Sequence, residues 1–369
     1  MADRLVDSFG APVVRGIAAA IRDAHPPFAS RDFVRSALRG FEPLDLMARA
    51  RAIAQALAGH LPRDFPQAAD ILVRSLGPPL GTTGGHGMAP FFYLPHSFFV
   101  AAHGLGHFEE SMRAQYEITQ RFTAEFSIRV FLERTPDRTL ARLREWTADP
   151  SVHVRRLVSE GTRPRLPWAP RLRAFQRDPT PVLELLERLK DDPELYVRRS
   201  VANNLNDIGK DHPAIAAETA RRWLAGGAPH RRWIVAHALR SAVKRAEPGA
   251  LEVLGYGAAA RVSISNVAIE PPRARIGGRV EIGFEVHNPG RTRQGVLVDL
   301  RVHFVKANGQ ASPKTFKLRA LELAPGERAR LSKSISLDQL TTRTHYPGVH
   351  RVEALCNGAA SPLGAFDLR

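Results

Sequence analysis

Acidic residues are in short supply: 37 Asp and Glu stand against 53 Lys and Arg in this 369-residue chain, leaving a formal net charge of +16. That imbalance favours a polyanionic partner, because a basic surface concentrates and steers such a ligand. Half of the excess lies in residues 261–369, so it is not a detachable basic tail. Cysteine is almost absent. Cys356 alone cannot form an internal disulfide, which argues against a small secreted scaffold and for a reduced, cytoplasmic setting. No stretch of about 18 apolar residues occurs, and no apolar run follows a basic cluster near Met1, so neither a membrane span nor secretion is expected. What is present, 44% apolar and 24% charged residues, is the composition of a globular protein, and the length suits two domains.

The larger part carries an internal repeat. Residues 149–156 (DPSVHVRR) return as residues 192–199 (DPELYVRR), an offset of 43, which suits HEAT-like helical pairs with their period of roughly 40–47 residues. Each Asp-Pro both stops and starts a helix, because proline fits the first helical turn but not the interior. Amphipathic segments precede both copies at 137–147 and 181–190, with Leu140, Leu143 and Trp146, and then Leu183, Leu186 and Leu189, at three-residue steps. A looser third copy pairs 214–224 with 230–244, and a fourth pairs 99–118 with 123–133. Residues 31–38, 44–58 and 65–76 read as further helices that cap the stack.

Past residue 257 the pattern changes from helical to alternating. Residues 279–286 and 296–304 place apolar side chains at every second position, the period of a half-buried strand. Turn signals punctuate them at Asn288-Pro289-Gly290, Asn308-Gly309 and Pro325-Gly326. The expected architecture is therefore a right-handed α-solenoid of HEAT-like repeats over residues 1–258, followed by an immunoglobulin-like antiparallel β-sandwich over residues 259–369.

Superposing Val154 on Val197 aligns Arg155 with Arg198, Arg156 with Arg199, Arg163 with Asn206, and Glu160 with Asn203. One slot thus holds a carboxylate in one copy and an amide in the next, among arginines spaced to meet successive phosphates. The plain alternative is that these arginines are solvated or pair with acids such as Glu194. Two other motifs carry little. His103 and His107 have the spacing of a helical zinc site but lack the glutamate after the first histidine, and two intervening glycines weaken the helix they would need. The glycine-rich run 81–87 lacks the Lys-Ser or Lys-Thr of a phosphate-binding loop and reads as a connector.

Four segments, residues 91–96 (FFYLPH), 115–117 (QYE), 121–129 (RFTAEFSIR) and 159–168 (SEGTRPRLPW), resemble the motifs of the AlkC branch of HEAT-like-repeat DNA glycosylases. Residues 197–204 (VRRSVANN) resemble the repeat shared across that superfamily. Residues 302–318 and 345–348 are similar to the immunoglobulin-like extension of some AlkC proteins. The resemblance implies hydrolysis of the N-glycosidic bond of cationic lesions, 3-methyladenine and 3-methylcytosine, in double-stranded DNA without flipping of the base. It calls for neither a metal nor another cofactor, and nothing demands more than a nucleoid-associated monomer. By the same resemblance, Glu125, Glu160 and Trp168 occupy the positions of the catalytic acids and aromatic residue. Phosphate contacts are expected from Arg163, Arg165, Arg198, Arg199 and Arg232, with Asn203 and Asn204 beside them, and Lys306 and Lys314 of the β-sandwich are expected to form a second DNA clamp. The competing reading is a HEAT-repeat binding scaffold without catalysis.

Overall fold

The computed structural model describes residues 6, 9–257, 260–340 and 343–369. Helices run in the order α1 (Ala11–Ala24), α2 (Ser30–Ala37), α3 (Leu46–His60), α4 (Phe65–Arg74), α5 (Leu94–His103), α6 (Phe108–Thr119), α7 (Ile128–Arg134) and α8 (Pro136–Trp146). They continue as α9 (Val152–Gly161), α10 (Arg173–Arg177), α11 (Thr180–Leu189), α12 (Leu195–Asp211), α13 (Pro213–Ala225), α14 (Pro229–Ala238), α15 (Arg240–Lys244) and α16 (Pro248–Val253). The chain divides into two compact units, Met1–Asp211 with Gly227–Ala238, and His212–Gly226 with Leu239–Arg369.

Within the first unit, the two copies of the repeat become the pairs α8/α9 and α11/α12. Of their apolar steps, Leu143 and Trp146 are buried in one pair and Leu186 and Leu189 in the other, while Leu140 and Leu183 are half-buried; Val154 and Val197 are fully enclosed. The repeated proline sits just ahead of α9 and of α12, where its missing N–H costs nothing. Two expected helices are interrupted. The stretch 99–118 breaks at Gly104-Leu105-Gly106, so His103 ends α5 and His107 precedes α6. The two histidines therefore do not share a helical face, and each instead meets a ring, Phe99 and Phe65 respectively. The stretch 230–244 divides at Leu239 into α14 and α15.

The second unit contains the β-sandwich. Its strands are β1 (Ser263–Glu270), β2 (Arg273–Ala274), β3 (Arg279–His287), β4 (Gln294–Val305), β5 (Ala311–Leu323), β6 (Arg328–Ser336), β7 (Gly348–Cys356) and β8 (Ala359–Leu368). One sheet has the order β1-β3-β6 and the other β2-β8-β7-β4-β5. Alternation packs Val280, Ile282, Phe284 and Val286 of β3 with Val296, Val298, Leu300, Val302 and Phe304 of β4 in one core. Leu297 and Asp299, on the other face of β4, are buried as well. Part of that unit's outer surface is covered by its own helices: a Cβ on Gly358 would come within 2.7 Å of the Ala246 side chain and 3.1 Å of Leu251. These helices pack on the sandwich, which is why the division into units falls earlier in the chain than the change of sequence texture. The expected junction at residues 258 and 259 lies outside the described residues.

Candidate active site

Three elements of the first unit converge on one cluster of charge. Helix α9 has Arg156, Glu160 and, one residue past its carboxyl-terminal cap, Arg163 at steps of four and three, a spacing that keeps side chains on one helical face. The turn before α7 supplies Glu125, and α12 supplies Ser200 and Asp207. The turn is locally determined: Thr123 Oγ1 accepts from the Glu125 N–H at 3.2 Å and donates to Glu125 Oε2 at 2.8 Å, folding the carboxylate back over its own backbone.

Arg156 joins the two acids. It donates to Glu125 Oε2 at 2.7 Å and lies 3.5 Å from Glu160 Oε2, with its guanidinium 5.3 Å from the centre of the Tyr196 ring. Glu160 is 5% exposed, so each oxygen needs a partner. Arg163 donates to Oε1 at 2.6 Å and Ser200 Oγ donates to Oε2 at 2.6 Å. Arg163 in turn donates through Nε to the fully buried Asp207 at 2.8 Å, and Lys210 caps that carboxylate at 2.7 Å. Burial would raise the Glu160 carboxyl, but the charges of Arg156 and Arg163 and the Ser200 hydrogen bond outweigh it, and the group is held below the usual carboxylate range. Glu160 is therefore an anion at neutral pH. Burial acts to lower Arg156, and the two glutamates more than reverse that, keeping it cationic.

The cluster forms the wall of a cleft of about 470 Å³. Glu125, Glu160, Arg156 and Arg163 share it with the aromatic residues Phe91, Phe122, Phe126 and Tyr196, with Trp168 at its edge. Trp168 is 62% exposed and has a φ of +64°, a region that side-chain-bearing residues avoid. Such geometry survives only where the surroundings impose it. The glycine-rich run also lines the cleft, with His86 turned back onto Thr82. From the sequence that segment reads as a connector.

The structure brings Glu125, Glu160 and Trp168 together and redistributes the expected phosphate ligands. Arg163 is buried against Glu160 and Asp207, so its charge serves the cluster. Arg165 is paired with Asp211. Arg198 turns back to the carbonyls of Asp192 and Pro193, as Arg155 does to those of Asp149 and Pro150, so this repeated arginine stabilises the chain entry to its own helix. Asn204 is fully buried and donates to Ser159 O and Thr162 Oγ1, which fastens α12 to α9. Asn203 is half-buried, 3.1 Å from a His237 ring nitrogen. Arg199 and Arg232 are exposed. Lys306 and Lys314 are exposed in the β-sandwich, where burial and the nearby charges of Arg343, Lys244 and Lys306 hold Lys314 below its ordinary pKa. Sequence reasoning missed Ser200, Asp207 and Tyr196. The repeat alignment passed over Ser200, but nothing local connects it to an acid forty residues away.

A family model described as "Uncharacterised protein YhaZ, C-terminal Ig-like domain" matches residues 263–369. The chain is 37% identical to "Uncharacterized protein YhaZ" of Bacillus subtilis over 339 residues, 92% of each chain. Among solved structures it is similar to the Pseudomonas fluorescens alkylpurine DNA glycosylase AlkC bound to DNA containing an abasic site analog. That similarity has a TM-score of 0.91 and 36% identity, with both chains covered completely.

Proposed function

The chain belongs to the AlkC family of HEAT-like-repeat DNA glycosylases, and from that premise we propose that it excises cationic N-alkylated bases, 3-methyladenine and 3-methylcytosine, from double-stranded DNA. The observation that carries this reading is the pair of acidic side chains, Glu125 and Glu160, bound to one arginine in a cleft edged by an exposed, backbone-strained tryptophan.

The chemistry follows from the substrate. An N-methylated base with a formal positive charge leaves as a neutral molecule when its bond to C1′ breaks, so no general acid is needed. Positive charge passes to the deoxyribose, and the role of the protein is to stabilise it. Glu160, held ionised, faces that charge and positions the water whose oxygen bonds to C1′. The water's proton passes to carboxylate or solvent, leaving an abasic site and free base. Glu125 supports the same field through Arg156. The Trp168 indole stacks against the sugar, where a cation over a ring gains about 0.5–2 kcal/mol. The base stays outside any enclosing pocket. Arg199 and Arg232 hold phosphates, and Lys306 and Lys314 grip the duplex from the β-sandwich. The protein works as a monomer at the nucleoid.

Incubation with duplex carrying a single 3-methyladenine tests the reading. Free 3-methyladenine and an alkali-labile site are expected in equal amounts. Binding to the duplex with neither product would reduce the protein to a DNA-binding scaffold.

A further inference from the structure

We propose that Arg129 is a positioning residue that fixes Trp168 at the edge of the cleft by fastening both ends of the loop that carries it. This inference rests on the role proposed above for Trp168.

Arg129 lies in the first turn of α7 and is 4% exposed, so it is not placed to meet DNA itself. Its guanidinium instead spans the loop after α9. Nη1 donates to Gly161 O at 3.1 Å and to Arg163 O at 2.7 Å, on the near side of Trp168, and Nη2 donates to Pro170 O at 2.5 Å on the far side. Three carbonyls separated by the tryptophan thus converge on one planar cation, a task a fork of fixed geometry performs and a point charge does not.

Other bonds complete the frame. Leu172 N donates to Pro164 O at 3.2 Å and closes the loop at its base. Leu166 and Leu172 are buried pegs on either side, and Arg165 is tied to Asp211. Within this frame Trp168 is the large apolar side chain left outside, and its backbone is in the left-handed region. Left free, the loop would relax to an ordinary conformation and carry the indole away, so something must hold it. Arg129 is suited to that because it stays charged: burial brings it down to about 10, well above neutral pH. The end of α9 that bears Glu160 is held separately, by Ile128 packed directly against Gly161.

A double-mutant cycle on the full-length protein tests the proposal, using single-turnover release of 3-methyladenine from duplex. Trp168→Ala is expected to slow excision. Arg129→Lys, which keeps the charge but not the fork, is expected to slow it about tenfold at saturating enzyme, without weakening binding to abasic-site duplex. In the Trp168→Ala background the same Arg129→Lys change is expected to cost less than about twofold, because there is no indole left to misplace. An equal loss in both backgrounds would make Arg129 a general structural residue and overturn the inference, as would a wild-type rate for Arg129→Lys. Insertion of one glycine between Ala169 and Pro170 gives an independent reading if Arg129→Lys unfolds: it leaves the buried cation intact, slackens the loop, and must show the same dependence on Trp168. A Trp168→Ala protein at the wild-type rate would instead refute the role of Trp168, and the inference with it.

Discussion

Replacing Glu160 by Gln removes one charge and almost no volume. The amide can keep the local geometry by turning its carbonyl to Arg163 and its NH2 to the Ser200 oxygen, so the two hydrogen bonds seen for the carboxylate retain counterparts. What is lost is the field at the sugar. A carboxylate about 4 Å from a developing cation contributes about 4 kcal/mol at an effective dielectric of about 20. Arg156 and Arg163 already draw on the same charge, and if they halve its effect about 2 kcal/mol remains. Excision should therefore slow by roughly 30-fold to 1,000-fold. Two controls separate this from damage to the fold, since breaking a buried ion pair can itself cost about 3–5 kcal/mol. Thermal unfolding should show a cooperative native state, and affinity for abasic-site duplex should persist, because the change makes the cluster more positive. The assay is single-turnover release of free 3-methyladenine at saturating enzyme. A folded, DNA-binding Glu160→Gln protein within about threefold of the wild-type rate would refute the electrostatic role of this residue.

Gly161→Ala should slow excision about tenfold and destabilise the protein by about 1–3 kcal/mol, because a Cβ there would lie 2.5 Å from Ile128 Cγ2 and force α9 away from α7; melting curves and the same rate assay read both effects. His96 is fully buried without a hydrogen-bond partner among the described residues, and burial lowers it to about 4. Below pH 6.5 the unfolded chain takes up a proton that the native state refuses, so stability should fall as pH drops from 6.5 towards 4. At about 1.4 kcal/mol per pH unit the loss approaches roughly 3 kcal/mol, and urea unfolding of His96→Leu should lack that part of the pH dependence. Replacing both Lys306 and Lys314 by Ala should flatten the plot of log affinity against log salt by about 0.9 for each phosphate that is no longer neutralised; an unchanged slope would remove the sandwich lysines from the DNA interface.

The repeat was legible because its signals are local. Asp-Pro, the buried valine after it and the three-residue apolar steps are consequences of helical geometry, and they recur wherever a helical pair recurs. The strands of the sandwich were readable for the same reason, since β3 and β4 bury alternate residues in one core. The break at Gly104 was signalled only by two glycines that weaken a helix, with nothing to place it. Its position is set by close approach, as a Cβ there would fall 2.2 Å from Ser111 Oγ, and such approaches leave no period in the sequence. Helix α1 carries no repeat signal and went unassigned, although it buries Val14, Ile17 and Ile21.

The acids and the tryptophan were identifiable from motif resemblance, but their partners were not. An arginine has the same residue identity whether it meets phosphate, a carboxylate or a carbonyl. Arg155 and Arg198 look alike in the repeat and both bond the carbonyls ahead of their own helices, yet Arg155 also grips the Asp192 carboxylate with two N–H groups, and Arg163 differs again because Glu160 and Asp207 approach it from two helices. The amino-acid sequence thus determined the period, the two architectures and the balance of charge, each of which depends on neighbours along the chain. Only the tertiary structure decided how Arg156 and Arg163 are engaged and why Glu160 stays ionised, because those outcomes depend on desolvation and on partners such as Glu125, Ser200 and Asp207 that lie 31, 40 and 44 residues away along the chain.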